Sequence, residues 1–322
     1  MTALFRLVVA CIVASALPAA GQVRDFPTHA LKIVVPFAPG GAVDSVARVV
    51  GARLSEQVKQ PVVVENKPGA NANLGAQAVA TSPADGYTML LGANGLATNP
   101  TLEKNLPFDP LKDFTPVALV GYAPLVLVVP TDHPAKSVQQ LVALSKAKPG
   151  TFNYGSAAVG GSGHLATELL RSATGLDAQH VAYKGGAPAL TDLIAGRLDL
   201  MLINPLEAAP HVKAGKLRAL AVTGHSRIKS LPDVPTFDEA GVKDFDASVW
   251  WGFLVPAKTP PEVVARLGTE TLNALKDPAV RDKLEAMGAV VAPLDGPAFG
   301  RFLADETHKW ARVIREAKIS AD

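Results

Sequence analysis

A glycine-rich turn separates a continuous apolar run from an amphipathic stretch in Leu31-Lys32-Ile33-Val34-Val35-Pro36-Phe37-Ala38-Pro39-Gly40-Gly41-Ala42-Val43-Asp44. Branched apolar residues in an unbroken run suit a strand buried on both faces, as in a parallel sheet covered by helices. Val43, Val46, Ala47, Val50 and Leu54 then share one face at helical spacing, with Arg48, Arg53 and Glu56 outside it. A strand that feeds a helix through Pro-Gly-Gly leaves unpaired N–H groups at the positive end of that helix, which is an anion site.

The same order repeats along the chain. Strands are predicted over Leu31–Pro36, Pro61–Glu65, Thr88–Gly92, Leu125–Val129, Phe152–Gly155, His180–Tyr183, Leu198–Ile203 and Leu217–Thr223, with helical patterns between them. The alternation forms two blocks, and Val117–Val129 and Ser248–Val255 read as two crossings between them. Three terminal helices begin at Pro261, Pro278 and Pro297, and proline suits a first helical turn. The expected architecture is therefore α/β with two lobes, each a mostly parallel sheet flanked by helices. Residues 25–122 plus 248–322 make lobe 1 and residues 123–247 make lobe 2. A ligand belongs in the cleft between the lobes.

Residues 1–21 read as a secretory signal peptide rather than as fold. Arg6 precedes the apolar Leu7–Ala14, and Ala19-Ala20-Gly21 offers a cleavage site before Gln22. A lipobox ending at Cys11 is the competing reading, but almost no apolar segment would precede it. Cys11 is the single cysteine and leaves with the signal, so the mature chain has no thiol or disulfide chemistry, which suits a periplasm. The net charge of +2 contains no basic or acidic block. Nucleic acid is not an expected partner. No metal-ligand spacing and no dinucleotide fingerprint occur, so no cofactor is expected.

Four strand–loop–helix junctions carry the candidate chemistry. Gly40 and Gly41 offer backbone N–H groups, while Asp44 suits a helix start and would repel an anion unless turned away. Tyr154-Gly155-Ser156-Ala157-Ala158-Val159-Gly160-Gly161-Ser162 has Walker A spacing with Gly161 in the lysine position. It reads as a nest for a smaller anion, with the Ser156 and Ser162 hydroxyls available and Ser162 as helix cap. Asn94-Gly95 opens a polar loop after the Thr88–Gly92 strand, which is also a plain turn signal. Tyr183 and Lys184 precede Gly185-Gly186, and Asn204 follows the Leu198–Ile203 strand. Ser162 and His164 suggest a hydrolase, yet residues two apart on a helix do not face each other.

From Phe37-Ala38-Pro39-Gly40-Gly41 through Pro61-Val62-Val63-Val64-Glu65-Asn66-Lys67-Pro68-Gly69-Ala70, Ala84-Asp85-Gly86-Tyr87, Asn153-Tyr154-Gly155-Ser156, His180-Val181-Ala182-Tyr183-Lys184-Gly185 and Ala214-Gly215-Lys216-Leu217-Arg218, the chain resembles the substrate-binding proteins of tripartite tricarboxylate transporters, the Bug family. That resemblance implies a monomeric periplasmic Venus flytrap that holds a small organic carboxylate and presents it to a permease of one large and one small membrane subunit. It implies ligand contacts around Phe37, Gly40, Gly41, Asp44, Asn94, Ala97 and Thr98 in lobe 1. In lobe 2 it implies Ser156, Ala157, Ser162, His164, Tyr183, Lys184 and Asn204. Many members carry Asp-Asn where this chain has Ile203-Asn204, so the role of position 203 depends on whether it faces the cleft or the core. A sensor of the same fold feeding a membrane kinase is the alternative role.

Overall fold

The computed structural model describes residues 26–183, 185–224, 226–245 and 247–320. The expected signal peptide and Lys184 lie outside the described residues. In chain order the elements are β1 Leu31–Val35, α1 Ala42–Val58, β2 Val62–Asn66, α2 Asn73–Ala80, β3 Thr88–Gly92, α3 Gly95–Leu102, β4 Phe114–Pro124 and β5 Val126–Pro130. There follow α4 Val138–Ala147, β6 Asn153–Ser156, α5 Ser162–Thr174, β7 Gln179–Ala182, α6 Gly186–Ile194, β8 Met201–Ile203, α7 Pro205–Lys213 and β9 Leu217–Val222. The chain closes with β10 Ser248–Pro256, α8 Pro261–Ala274, α9 Pro278–Ala286, β11 Leu294–Asp295 and α10 Gly296–Glu316.

Six strands form one sheet in the order β11-β4-β10-β3-β1-β2, and β8-β5-β9 and β6-β7 form two smaller ones. The α/β class is as expected, with β1 parallel to both β2 and β3 and β6 parallel to β7. The two larger sheets are not mostly parallel: the six-stranded one is mixed, since β10 pairs antiparallel with β3 and β4, and in the three-stranded one β5 pairs antiparallel with both β8 and β9. The cause lies in the long crossing strands. β4 leads out of the first sheet and β10 leads back in, so they meet head to tail from Ser248↔Pro124 to Pro256↔Phe114.

Burial follows the apolar runs. All five residues of β5 are buried, which is why no alternation shows there. One core cluster runs from Val34 and Leu90 in the first sheet, through Leu125 and Trp250, to Leu127, Tyr154 and Leu202 in the smaller sheets. The predicted proline starts hold: Pro261 and Pro278 each open a helix, and Pro297 lies in the first turn of α10. Ser137 caps α4 by accepting the Gln140 N–H.

One position tests how closely α5 is seated. A Cβ at Gly163 would collide with the Leu202 carbonyl of β8, a backbone atom that cannot swing away. Gly163→Ala is therefore expected to lower the urea midpoint by the equivalent of about 1–3 kcal/mol, the range for overpacking. An unchanged midpoint would mean that the helix is loosely docked.

Candidate functional site

Because β1 and β3 run parallel, their C-terminal ends open on one edge of the sheet, beside the starts of α1 and α3. Asp44 lies there, only 3% exposed. Its carboxylate accepts the Gly40 N–H at 2.9 Å, two N–H groups of Arg48 at 2.9 and 3.0 Å, and the Asn66 amide at 2.9 Å. Asn66 also donates to the Phe37 carbonyl. Burial raises the pKa of Asp44, but the bonds from Arg48, Gly40 and Asn66 outweigh it and hold the group below the usual carboxylate range.

This network revises the expected cradle. Gly40, at φ +84°, spends its N–H on Asp44 and does not offer it to a ligand. Asp44 is turned inward and neutralised, so its charge does not oppose an anion at the helix start. Among the described residues the N–H groups of Gly41, Ala42, Val43 and Asp44 find no acceptor; Gly41 caps α1 and supplies no side chain.

Beside this turn, Gly69, Ala70, Asn71 and Ala72 all have positive φ, at 129°, 46°, 51° and 74°. Three successive non-glycine residues in the left-handed region store strain, and such segments concentrate at ligand sites. The turn is held by Asn99, whose amide donates to the Asn71 carbonyl at 2.9 Å and to Asn73 Oδ1 at 2.6 Å. The Asn73 side chain is buried, and its Nδ2 has no partner. With Phe37, Gly92 and Leu96, Asn73 and Asn99 line a small cavity.

The segment expected as a loop from Asn94 to Thr98 is instead the start of α3, against the low helix propensity of Gly95, Asn99 and Pro100. Ala97 and Thr98 are completely buried and present no side chain to a ligand. Asn94 is used by the fold: its amide donates to the Ser248 carbonyl at 2.9 Å and accepts from the Trp250 N–H at 3.0 Å, pinning β10.

In the second loop, Ser156 is buried and donates to the Ala158 carbonyl at 2.9 Å. A hydroxyl has one proton, so the 2.6 Å contact with His180 Nε2 is an N–H donated to Ser156 Oγ. His180 stacks on His164 at 3.7 Å and on Tyr154 at 4.9 Å. His164 Nδ1 accepts the Gly160 N–H at 2.9 Å, which sets the glycine turn. The Tyr154 hydroxyl donates to Glu168, which also holds Arg171. Burial lowers the pKa of both histidines, that of His180 to about 4 with help from His164, so both are neutral at pH 7. Sequence spacing does not reveal this stack, because Tyr154, His164 and His180 lie on three separate elements.

The cap of α5 is Gly161, and Ser162 is the first helical residue, against the expectation for Ser162. Its hydroxyl therefore makes no cap bond. Ala157 accepts the Gly185 N–H, which ties the second loop to the next. Tyr183 gives its hydroxyl to Asp192 at 2.7 Å and packs against the smaller core. Asn204 caps α7 through the Leu206 N–H, and its buried Nδ2 has no partner. Ile203 faces the smaller core, with its Cδ1 near the start of α6 at Gly186. Ser162 and His164 form no nucleophile–base pair, since His164 Nδ1 already accepts from Gly160. Among the described residues, no cation stands free at these loops: Arg48 is tied to Asp44 and Arg171 to Glu168.

The tripartite tricarboxylate transporter family receptor description (TctC) matches residues 46–319. The chain is 36% identical to BugT of Bordetella pertussis over 318 residues, covering 98% of each chain. A Rhodopseudomonas palustris protein solved with adipate is 37% identical, with a TM-score of 0.87 over 92% of this chain and 99% of its own. MatC of the same organism, solved with bound malate, is 32% identical, with a TM-score of 0.81 over 90% of this chain and 100% of its own. The periplasmic binding protein BugD gives 33% identity and a TM-score of 0.84. The match to the family over most of the chain, together with these structures, shows that this protein belongs to the TctC/Bug family of solute-binding receptors and is not an enzyme.

Proposed function

We propose that this receptor works in the periplasm, closing its two lobes on a small organic carboxylate and handing it to a permease of one large and one small membrane subunit. The lobes are residues 25–122 with 248–322, and residues 123–247, with the cleft at the loops after β1 and β6. The carrying observation is the pair of helix starts, α1 at Gly41–Val43 and α5 at Ser162–His164, each with a glycine cap and no side-chain cap bond. Relatives of known structure hold adipate and malate, and the same class suits these donors.

Micromolar capture corresponds to about −8 kcal/mol. Helix starts contribute about 0.3–2 kcal/mol each, so several charge-assisted bonds of about 1.5–3 kcal/mol are also required. Exclusion of water on closure strengthens them. Thermal unfolding of the mature protein with a panel of carboxylates, sugars and cations tests this reading. A true ligand at about 100 times its Kd adds about 2.7 kcal/mol and raises Tm. A rise with a sugar or cation, and with no carboxylate, would overturn it.

A further inference from the structure

Glu207 lies in the first turn of α7, three residues after the helix cap Asn204, whose carbonyl accepts the Glu207 N–H. Among the described residues its carboxyl has no hydrogen-bond or ion-pair partner. It is partly buried, yet it keeps an accessible edge. A Cβ at Gly186 would fall on this carboxyl, so Glu207 lies against the start of α6. That start follows the Tyr183–Gly185 loop, whose Gly185 N–H bonds Ala157 in the other second-lobe loop. At the same helix start the Asn204 Nδ2, in a residue only 6% exposed, also lacks a partner. A partly buried acid and a buried amide donor, both unmet at one helix start, are costly unless something else completes them.

We infer that Glu207 is a specificity-determining residue, which with Asn204 selects carboxylates carrying a hydrogen-bond donor substituent, a hydroxyl or a protonated amine. This inference rests on the carboxylate reading above and names the ligand class more narrowly. A ligand hydroxyl that reaches both groups would donate to Glu207 and accept from Asn204 Nδ2. An ammonium meets Glu207 alone. A purely structural role for Glu207, as the negative group near the start of α6, would stabilise the fold without sorting ligands.

Titration calorimetry on the mature protein distinguishes these roles, using succinate, malate and aspartate, and adipate, 2-hydroxyadipate and 2-aminoadipate. In at least one series the wild type should bind a donor-bearing acid at least about tenfold more tightly than its unsubstituted parent, the fold-change of one charge-assisted bond. Whether the hydroxy or the amino acid ranks first identifies the donor. Glu207→Leu should remove the preference while leaving the affinity for the parent acid within about twofold. Gly186→Ala, which displaces the same carboxyl without altering it, should do likewise and guards against a folding defect in the first variant. Equal wild-type affinities for parent and substituted acids, or an unchanged ratio in both variants, would overturn the inference while leaving carboxylate capture intact. Binding of none of the six acids by the wild type would overturn both.

Discussion

Asp44→Ala is expected to destabilise the protein by about 2–3 kcal/mol and to weaken carboxylate binding with it. The carboxylate takes bonds from Gly40, Arg48 and Asn66, and hydrogen bonds to a charged group are worth about 1.5–3 kcal/mol each. The Arg48 side chain is 54% exposed, so water screens that pair and it adds little to the sum. The larger loss comes from leaving the Gly40 N–H and the Asn66 amide without their acceptor. Asp44→Asn should lose less, because an amide oxygen still accepts from Gly40. The pH dependence follows from the direction of the shift. Asp44 sits below its unfolded value of 3.8, so its contribution is complete above that pH and disappears as pH falls through the folded value. Urea denaturation of the three proteins at neutral pH checks the order. Equal midpoints would show that the Pro39-Gly40-Gly41 turn holds without Asp44.

The histidine stack predicts a second, separate loss of stability in mild acid. His180 has a folded pKa of about 4, against 6.5 when unfolded. Burial is the main cause, and His164 stacked at 3.7 Å adds repulsion. Between these two values the unfolded chain takes up a proton that the folded chain refuses. Stability therefore falls as pH drops from 6.5 toward 4 and falls no further once both states are protonated. The total is roughly 3 kcal/mol for His180 alone, and His164 adds to it in the same direction. Denaturation midpoints measured from about pH 7.5 to about pH 4 should decline for the wild type and much less for His180→Gln. Parallel curves for the two proteins would show that the proton is excluded elsewhere. The loss reaches the ligand loop directly, because His180 holds Ser156 and His164 holds the Gly160 turn.

The elements that were legible in the sequence are those whose signal is local. β1 and α1 follow from an apolar run, a glycine turn and a 3.6-residue stripe. α8 appears over Pro261–Ala274, where its proline start and periodicity place it. The second junction was also visible, although Gly161 rather than Ser162 caps the helix. α3 was not legible, because Gly95, Asn99 and Pro100 all argue against a helix and only the packing of Leu96, Ala97 and Leu102 in the core overrides them. The antiparallel half of the first sheet was hidden for a different reason. The direction of β10 depends on how the chain returns after residues 125–247, not on its own residues.

The order of strands, glycine turns and proline-started helices determined an α/β fold with open helix starts at its glycine turns. Backbone conformation and hydrophobic period act over a few neighbouring residues, so the sequence carries them openly. Which donors stay free was decided only in three dimensions. Asp44 reaches Asn66, Ser156 reaches His180, and Asn94 reaches a carbonyl 154 residues away. Each such bond removes a group from the ligand's reach, or sets one in place, through side chains that no spacing rule connects. The Pro39-Gly40-Gly41 turn was legible as an open helix start, but it took the packed structure to show that the Gly40 N–H is committed to Asp44 while those of Gly41, Ala42 and Val43 find no acceptor among the described residues.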